Sequence, residues 1–206
     1  MDTYFTNERT DLKHCNAQSI SDCGLTQKGV ENLAGNPAGT SVKDEKNPHY
    51  HGKVQVKNGK VQISMTYVLT GHLERAKAGL NNIQTMYRNA GFEMTFTPSV
   101  QKPDLRIHGT NLAELAQGLK LCDCETALMI GGWAPSYKHF KWGNAVLLNP
   151  HSPKNTWAMT DAHEFAHKLG LKHRIDGGIT DYPPKRGRDF RKFIESDKKR
   201  IIALYQ

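Results

Sequence analysis

Long apolar runs are missing from this 206-residue sequence. With no stretch of about 18 consecutive apolar residues, no transmembrane helix is expected. The opening, MDTYFTNERTDLKH, lacks the apolar segment of a secretory signal, so none is expected there. Cysteine is scarce at four residues, Cys15, Cys23, Cys122 and Cys124, too few for the dense framework of a small secreted scaffold. The CxC spacing of Cys122 and Cys124 is too tight for an ordinary CxxC zinc knuckle, and disulfides and free thiols both remain open for these pairs. Internal repeats are absent. Acidic residues are outnumbered, 20 against 28 Lys and Arg, for a net charge of +8. That balance favours acidic partners, but the charge is spread along the chain, with dense runs only at Lys185 to Lys192 and Lys198 to Arg200. Nucleic-acid binding is therefore not the expected role.

The length suits one well-cored domain with extra chain at an end. Residues 1–50 are rich in Asn, Ser, Gly, Thr and charge without sustained periodicity, and read as a loosely structured lead-in; residues 51–206 read as the folded domain. KVQVKNGKVQISMTYVLTG alternates apolar and polar residues about Asn58-Gly59, predicting a hairpin that pairs Val54 and Val56 with a strand from Val61 to Leu69. Leu73, Ala76, Leu80, Ile83 and Tyr87 fall at spacings of three and four, predicting a helix from Leu73 to Asn89 that stops near Gly91. Short strands are predicted at Phe92 to Thr97, Asp104 to His108 and Asn144 to Leu148, with an irregular stretch containing Ala127 to Ile130. A second amphipathic helix is expected from Thr156 to Leu169, ending at Gly170, and a C-terminal helix from Asp189 to Leu204.

The second helix carries the chemistry. HEFAHKLGLKH, from His163 to His173, places His163 and His167 one turn apart on one helical face, where a single metal can touch both. Gly170 permits the left-handed turn that ends the helix, so that His173 can approach the same point as third ligand. Three nitrogen ligands leave a tetrahedral Zn2+ one open position for water, the mark of a catalytic rather than a structural site. Glu164, beside the first ligand, is the candidate general base. Isolated histidines are usually packing or surface residues, but by chance the whole pattern arises on the order of once in ten thousand chains of this size.

The segment resembles the metzincin zinc peptidases, whose signature is HExxHxxGxxH followed by a methionine-containing turn beneath the metal. The resemblance implies an α+β, zincin-like fold: a twisted, mostly parallel sheet with an antiparallel edge strand, packed on two helices, and a small C-terminal subdomain with a terminal helix. It implies one catalytic Zn2+ and a protein or peptide substrate. GITDYPP, Gly178 to Pro184, looks like the family's turn, with Tyr182 at the place of a tyrosine that reaches the zinc in some branches; Tyr182 is thus a candidate catalytic residue. Thr180 departs from the pattern, standing where methionine is expected, and Arg174 matches no branch-defining residue. By the same resemblance, Asn144 to Leu148 could be the edge strand that holds an extended substrate, or an ordinary core strand.

The HEFxHxLGLxH element with a following DYPP turn is also similar to C-terminal toxin domains of bacterial polymorphic and Rhs-type effectors. That implies delivery into a target cell as part of a larger polypeptide, and a cognate immunity protein as partner. A zinc-binding module without catalysis and a zinc hydrolase of a non-peptide bond use the same residues and stay open. Other features carry less. His49 and His51 read as exposed. Cys23-Gly24 has only a fragment of an inhibitory Cys-Gly segment. Trp133, Trp142 and Trp157 read as core before subsite. Asp161 and Asp176 are candidates to accept the second ring N–H of a zinc-bound histidine.

Overall fold

The computed structural model describes residues 43–119, 127–128, 130–174, 178–181 and 192–206. The four cysteines, Asp176 and Tyr182 lie outside these residues. The hairpin forms as its turn chemistry dictates: β1 (Val54–Lys57) runs antiparallel to the long β2 (Lys60–Gly71), with Val54 opposite Ile63 and Val56 opposite Val61. Asn58 and Gly59 both have positive φ, 51° and 71°, as a two-residue turn matched to strand twist requires.

Strand β2 is the spine of a six-stranded mixed sheet. Its middle pairs in parallel with β3 (Glu93–Pro98), and its end pairs in parallel with β4 (Leu105–Gly109). Beyond β4 come β6 (Ala145–Leu148), parallel to it, and then the two-residue β5 (Gly132–Trp133), antiparallel to β6. The sheet is therefore parallel through its middle and antiparallel at both ends.

Strand 145–148 is not the edge. It lies between β4 and β5, and all four of its residues are buried. Its continuous AVLL run is that of a strand covered on both faces, a pattern that carries no sign of which neighbour lies outside it. The edge beside the helix that carries His163 and His167 is instead Gly132–Trp133, too short for any periodicity to reveal.

One face of the sheet is covered by α1 (Leu73–Asn89) and α3 (Trp157–Lys168). Ala76, Ile83 and Tyr87 of α1 meet Ala162, Phe165 and Ala166 of α3 in the main core. Tyr87 stands edge-on to Phe165, Phe92 and Phe193, with ring centroids 4.5–5.2 Å apart, a favoured aromatic arrangement. Its hydroxyl donates to the Ala162 carbonyl at 3.2 Å, which meets the polar demand of a fully buried phenol.

Beyond α1 and α3, the sequence reading missed α2 (Leu112–Leu119), which buries Leu112, Leu115 and Ala116 in a separate cluster with Ala127. Two turns are too short for periodicity to stand out. The C-terminal helix α4 (Glu195–Tyr205) starts later than predicted, with the carboxylate of Asp197 accepting from the Ile194 backbone N–H at 3.0 Å at its head. Packing also begins upstream of residue 50: Tyr50 is wholly buried, and the side-chain amide of Asn47, itself buried, donates to the Lys168 carbonyl at 3.0 Å. No helix among the described residues is long and apolar enough to cross a membrane.

Candidate metal centre

The end of α3 is shaped by its sequence. The Gly170 N–H donates to the His167 carbonyl at 3.0 Å and the Leu171 N–H to the Ala166 carbonyl at 3.1 Å, the paired bonds by which a left-handed residue closes a helix. Gly170 supplies that conformation at φ 98°, and a Cβ there would stand 2.0 Å from the Glu45 carbonyl oxygen. The chain turns back at once, and His173 meets the helix it has just left.

The three imidazoles converge. Nε2 of His167 lies 3.0 Å from Nε2 of His163 and 3.0 Å from Nε2 of His173, and the remaining pair is 3.2 Å apart. Two of the rings are oriented from behind: Nδ1 of His163 faces the Ile179 carbonyl at 2.8 Å, and Nδ1 of His167 faces the Leu171 carbonyl at 2.7 Å. A carbonyl only accepts, so in both rings Nδ1 carries the hydrogen. In the neutral ring that leaves the Nε2 lone pair pointing into the triangle. Burial, then the neighbouring His173, push His167 down to about 3, so this ring is neutral near pH 7, as a metal ligand must be.

Lone pairs at these separations repel unless a cation lies among them. Ligands on a tetrahedral zinc at about 2.0–2.1 Å are themselves about 3.3–3.4 Å apart, close to the observed triangle. The group His163, His167 and His173 can hold a metal ion. Its donor set of three imidazoles suits zinc and neighbouring transition metals rather than the oxygen-seeking Ca2+ or Mg2+.

Glu164 is buried on the same helix. The edge strand β5 lies directly against it, since a Cβ on Gly132 would be 2.9 Å from the Glu164 Cγ. One turn further on, Lys168 is almost wholly buried and donates through Nζ to the carbonyls of Pro135, Gly143 (3.1 Å) and Trp142 (3.5 Å). This ties the loop after β5 to α3. Burial pushes the Lys168 ammonium down to about 7, with the Glu164 charge acting in the opposite direction.

Several expectations are revised. Asp161 does not support a ligand. It is wholly buried in a bidentate pair with Arg75, and its Oδ2 also accepts from the Asn82 amide at 2.7 Å. Backbone carbonyls take the supporting role instead. Trp157 packs on the Arg75 guanidinium at 4.2 Å, and Trp142 is buried with Ala145 and Leu147. Both are packing residues. His49 stands edge-on to Tyr137 and joins no metal-binding group among the described residues.

Thr180 is wholly buried, and its hydroxyl accepts from Nη1 of Arg200 at 3.0 Å. Sequence reasoning missed Arg200, Asp44 and Lys168. Lys168 falls on the Asp161–Glu164 side of its helix, off the apolar stripe, and no local pattern marks it, Arg200 or Asp44. No protein-family model matches the chain, and no curated protein matches it.

Proposed function

We propose that this protein is a metzincin-like zinc endopeptidase, with His163, His167 and His173 as ligands and Glu164 as general base. The observation that carries the reading is the Nε2 triangle of 3.0–3.2 Å, whose two backbone-oriented rings turn their lone pairs inward. When bound, zinc supplies Lewis acidity, which polarises a substrate carbonyl and makes water acidic enough to attack near neutral pH.

The remaining work falls to the chain. Glu164, buried beside the first histidine of the triangle, takes the proton of the attacking water and returns it to the departing amine. The edge strand β5, packed on Glu164, is the backbone on which an extended peptide can pair. Tyr182, by the family resemblance, would donate to the developing oxyanion. The likeness of HEFAHKLGLKH and DYPP to effector toxin domains supports action inside a target cell, with an immunity protein protecting the producer.

Replacing Glu164 with Gln is expected to leave zinc content unchanged and to lower kcat/KM by about 10²–10⁴-fold. Cells expressing the wild type and Glu164→Gln are compared by mass spectrometry of newly formed protein termini. Termini specific to the wild type support a peptidase. One zinc per chain without chelator-sensitive cleavage of any protein, itself included, would make the chain a binding module instead.

A further inference from the structure

Three segments meet behind the histidine triangle: the loop carrying His173, the turn carrying Ile179 and Thr180, and residues 43–47, far upstream. One guanidinium touches all three. Arg200 of α4 donates through Nε and Nη2 to the two carboxylate oxygens of Asp44, each at 2.7 Å, and through Nη2 to the Lys172 carbonyl at 2.7 Å. Its Nη1 reaches the Thr180 hydroxyl at 3.0 Å and lies 3.5 Å from Asp197 Oδ1. Only 7% of the Arg200 side chain is exposed.

The partners sit next to the ligands' own supports. Lys172 directly precedes His173, and its N–H donates to Asp44 Oδ1 at 2.9 Å. Thr180 directly follows Ile179, whose carbonyl orients His163 and whose N–H donates to Asp197 Oδ2 at 2.9 Å. The backbone of Arg174 pairs with the Thr180 carbonyl at 3.4 Å, closing the His173 loop on the turn.

We propose that Arg200 is the positioning residue of the metal centre. Anchored by Asp44 and Asp197, it holds the His173 loop and the Ile179–Thr180 turn at one fixed separation. Thr180 is then a hydrogen-bonded link and not a gap in an apolar floor: the hydroxyl at this position is what the guanidinium holds. Asp44 makes the chain upstream of the hairpin part of the same clamp. A planar fork with five donors suits this role, whereas a lysine ammonium is a point charge that cannot satisfy these acceptors together.

The inference rests on the metal reading of the histidine triangle, and the two are separated by experiment. Zinc affinity is measured by chelator competition for the wild type, Thr180→Val, Thr180→Ser, Asp44→Asn and Arg200→Lys. Melting is followed in excess chelator, and the visible spectrum is recorded with Co2+ in place of zinc. Thr180→Val keeps shape and loses the acceptor. It is expected to weaken zinc binding about ten-fold, in the range typical of partners outside the ligand shell, with an altered cobalt spectrum and little change in metal-free melting. Thr180→Ser restores the acceptor and wild-type affinity, while Asp44→Asn and Arg200→Lys weaken binding at least as much as Thr180→Val. Thr180→Val with affinity within about two-fold of wild type and an unchanged cobalt spectrum overturns the positioning role, even if Arg200→Lys fails to fold. A wild type that binds no stoichiometric zinc overturns the metal reading itself.

Discussion

Arg75 and Asp161 meet with neither side chain exposed. Such a pair holds mainly because breaking it is worse: one partner left alone is a buried, unsatisfied charge. Arg75 has further ties, since Nε donates to the Asn149 carbonyl at 3.2 Å and the guanidinium lies over Trp157. Arg75→Met is expected to cost about 3–5 kcal/mol in urea denaturation. The double variant Arg75→Met, Asp161→Leu should recover part of that loss, and a double variant no more stable than the single would show that the guanidinium's other contacts dominate. At this scale the histidines and Glu164 were legible in the sequence because spacing on a helix is a local property. Their supporting carbonyls, at Ile179 and Leu171, were not, because a backbone acceptor can come from any residue type.

Among the elements, two turns of positive φ illustrate different constraints. Gly59 in the hairpin has φ 71° and open space around it, whereas Gly170 has φ 98° and the Glu45 carbonyl where a side chain would begin. Gly59→Ala should therefore cost only the conformational penalty, about 1–2 kcal/mol. Gly170→Ala adds a steric clash. It should destabilise by more than Gly59→Ala in the same thermal melts, and should weaken metal binding because it displaces the loop to His173. Equal losses in the two variants would mean that the Glu45 segment yields freely. The NG turn, α1 and α3 were legible because turn chemistry and a helical stripe are written within a dozen residues. Helix α2 and strand β5 were too short to write such a pattern, and β6, apolar throughout, could not declare its place in the sheet.

For the whole molecule, the segment at 43–50 matters more than its composition suggests. Removing residues 1–50 takes away wholly buried Tyr50, buried Asn47 and the Asp44 end of the Arg200 clamp. A chain starting at residue 51 should lose at least about 3 kcal/mol, the scale for deleting one buried aromatic side chain, measured by urea unfolding in excess chelator. Acid should weaken the same joint. Burial opposes ionisation of Asp44, but hydrogen bonds from Arg200 and Lys172 outweigh it and hold the carboxyl below its ordinary value. Because the folded value is the lower one, this stabilisation is complete above the ordinary carboxylate range and fades as pH falls through the lowered value. Asp44→Asn should flatten the acid limb of the stability profile, and a variant with an unchanged limb would show that Asp44 contributes nothing there.

What the sequence by itself determined is whatever a short stretch of chain can encode. It settled the hairpin, the two long helices and three histidines with a glutamate at metal-binding spacing. Tertiary structure alone decided which strand is the edge, which carbonyls orient the histidines, and that Asp44 and Arg200, 156 positions apart, close one joint behind the triangle. The physical reason is range. Periodicity and turn conformation are local energies, whereas a buried guanidinium satisfied by three separate segments exists only once the chain has brought them together.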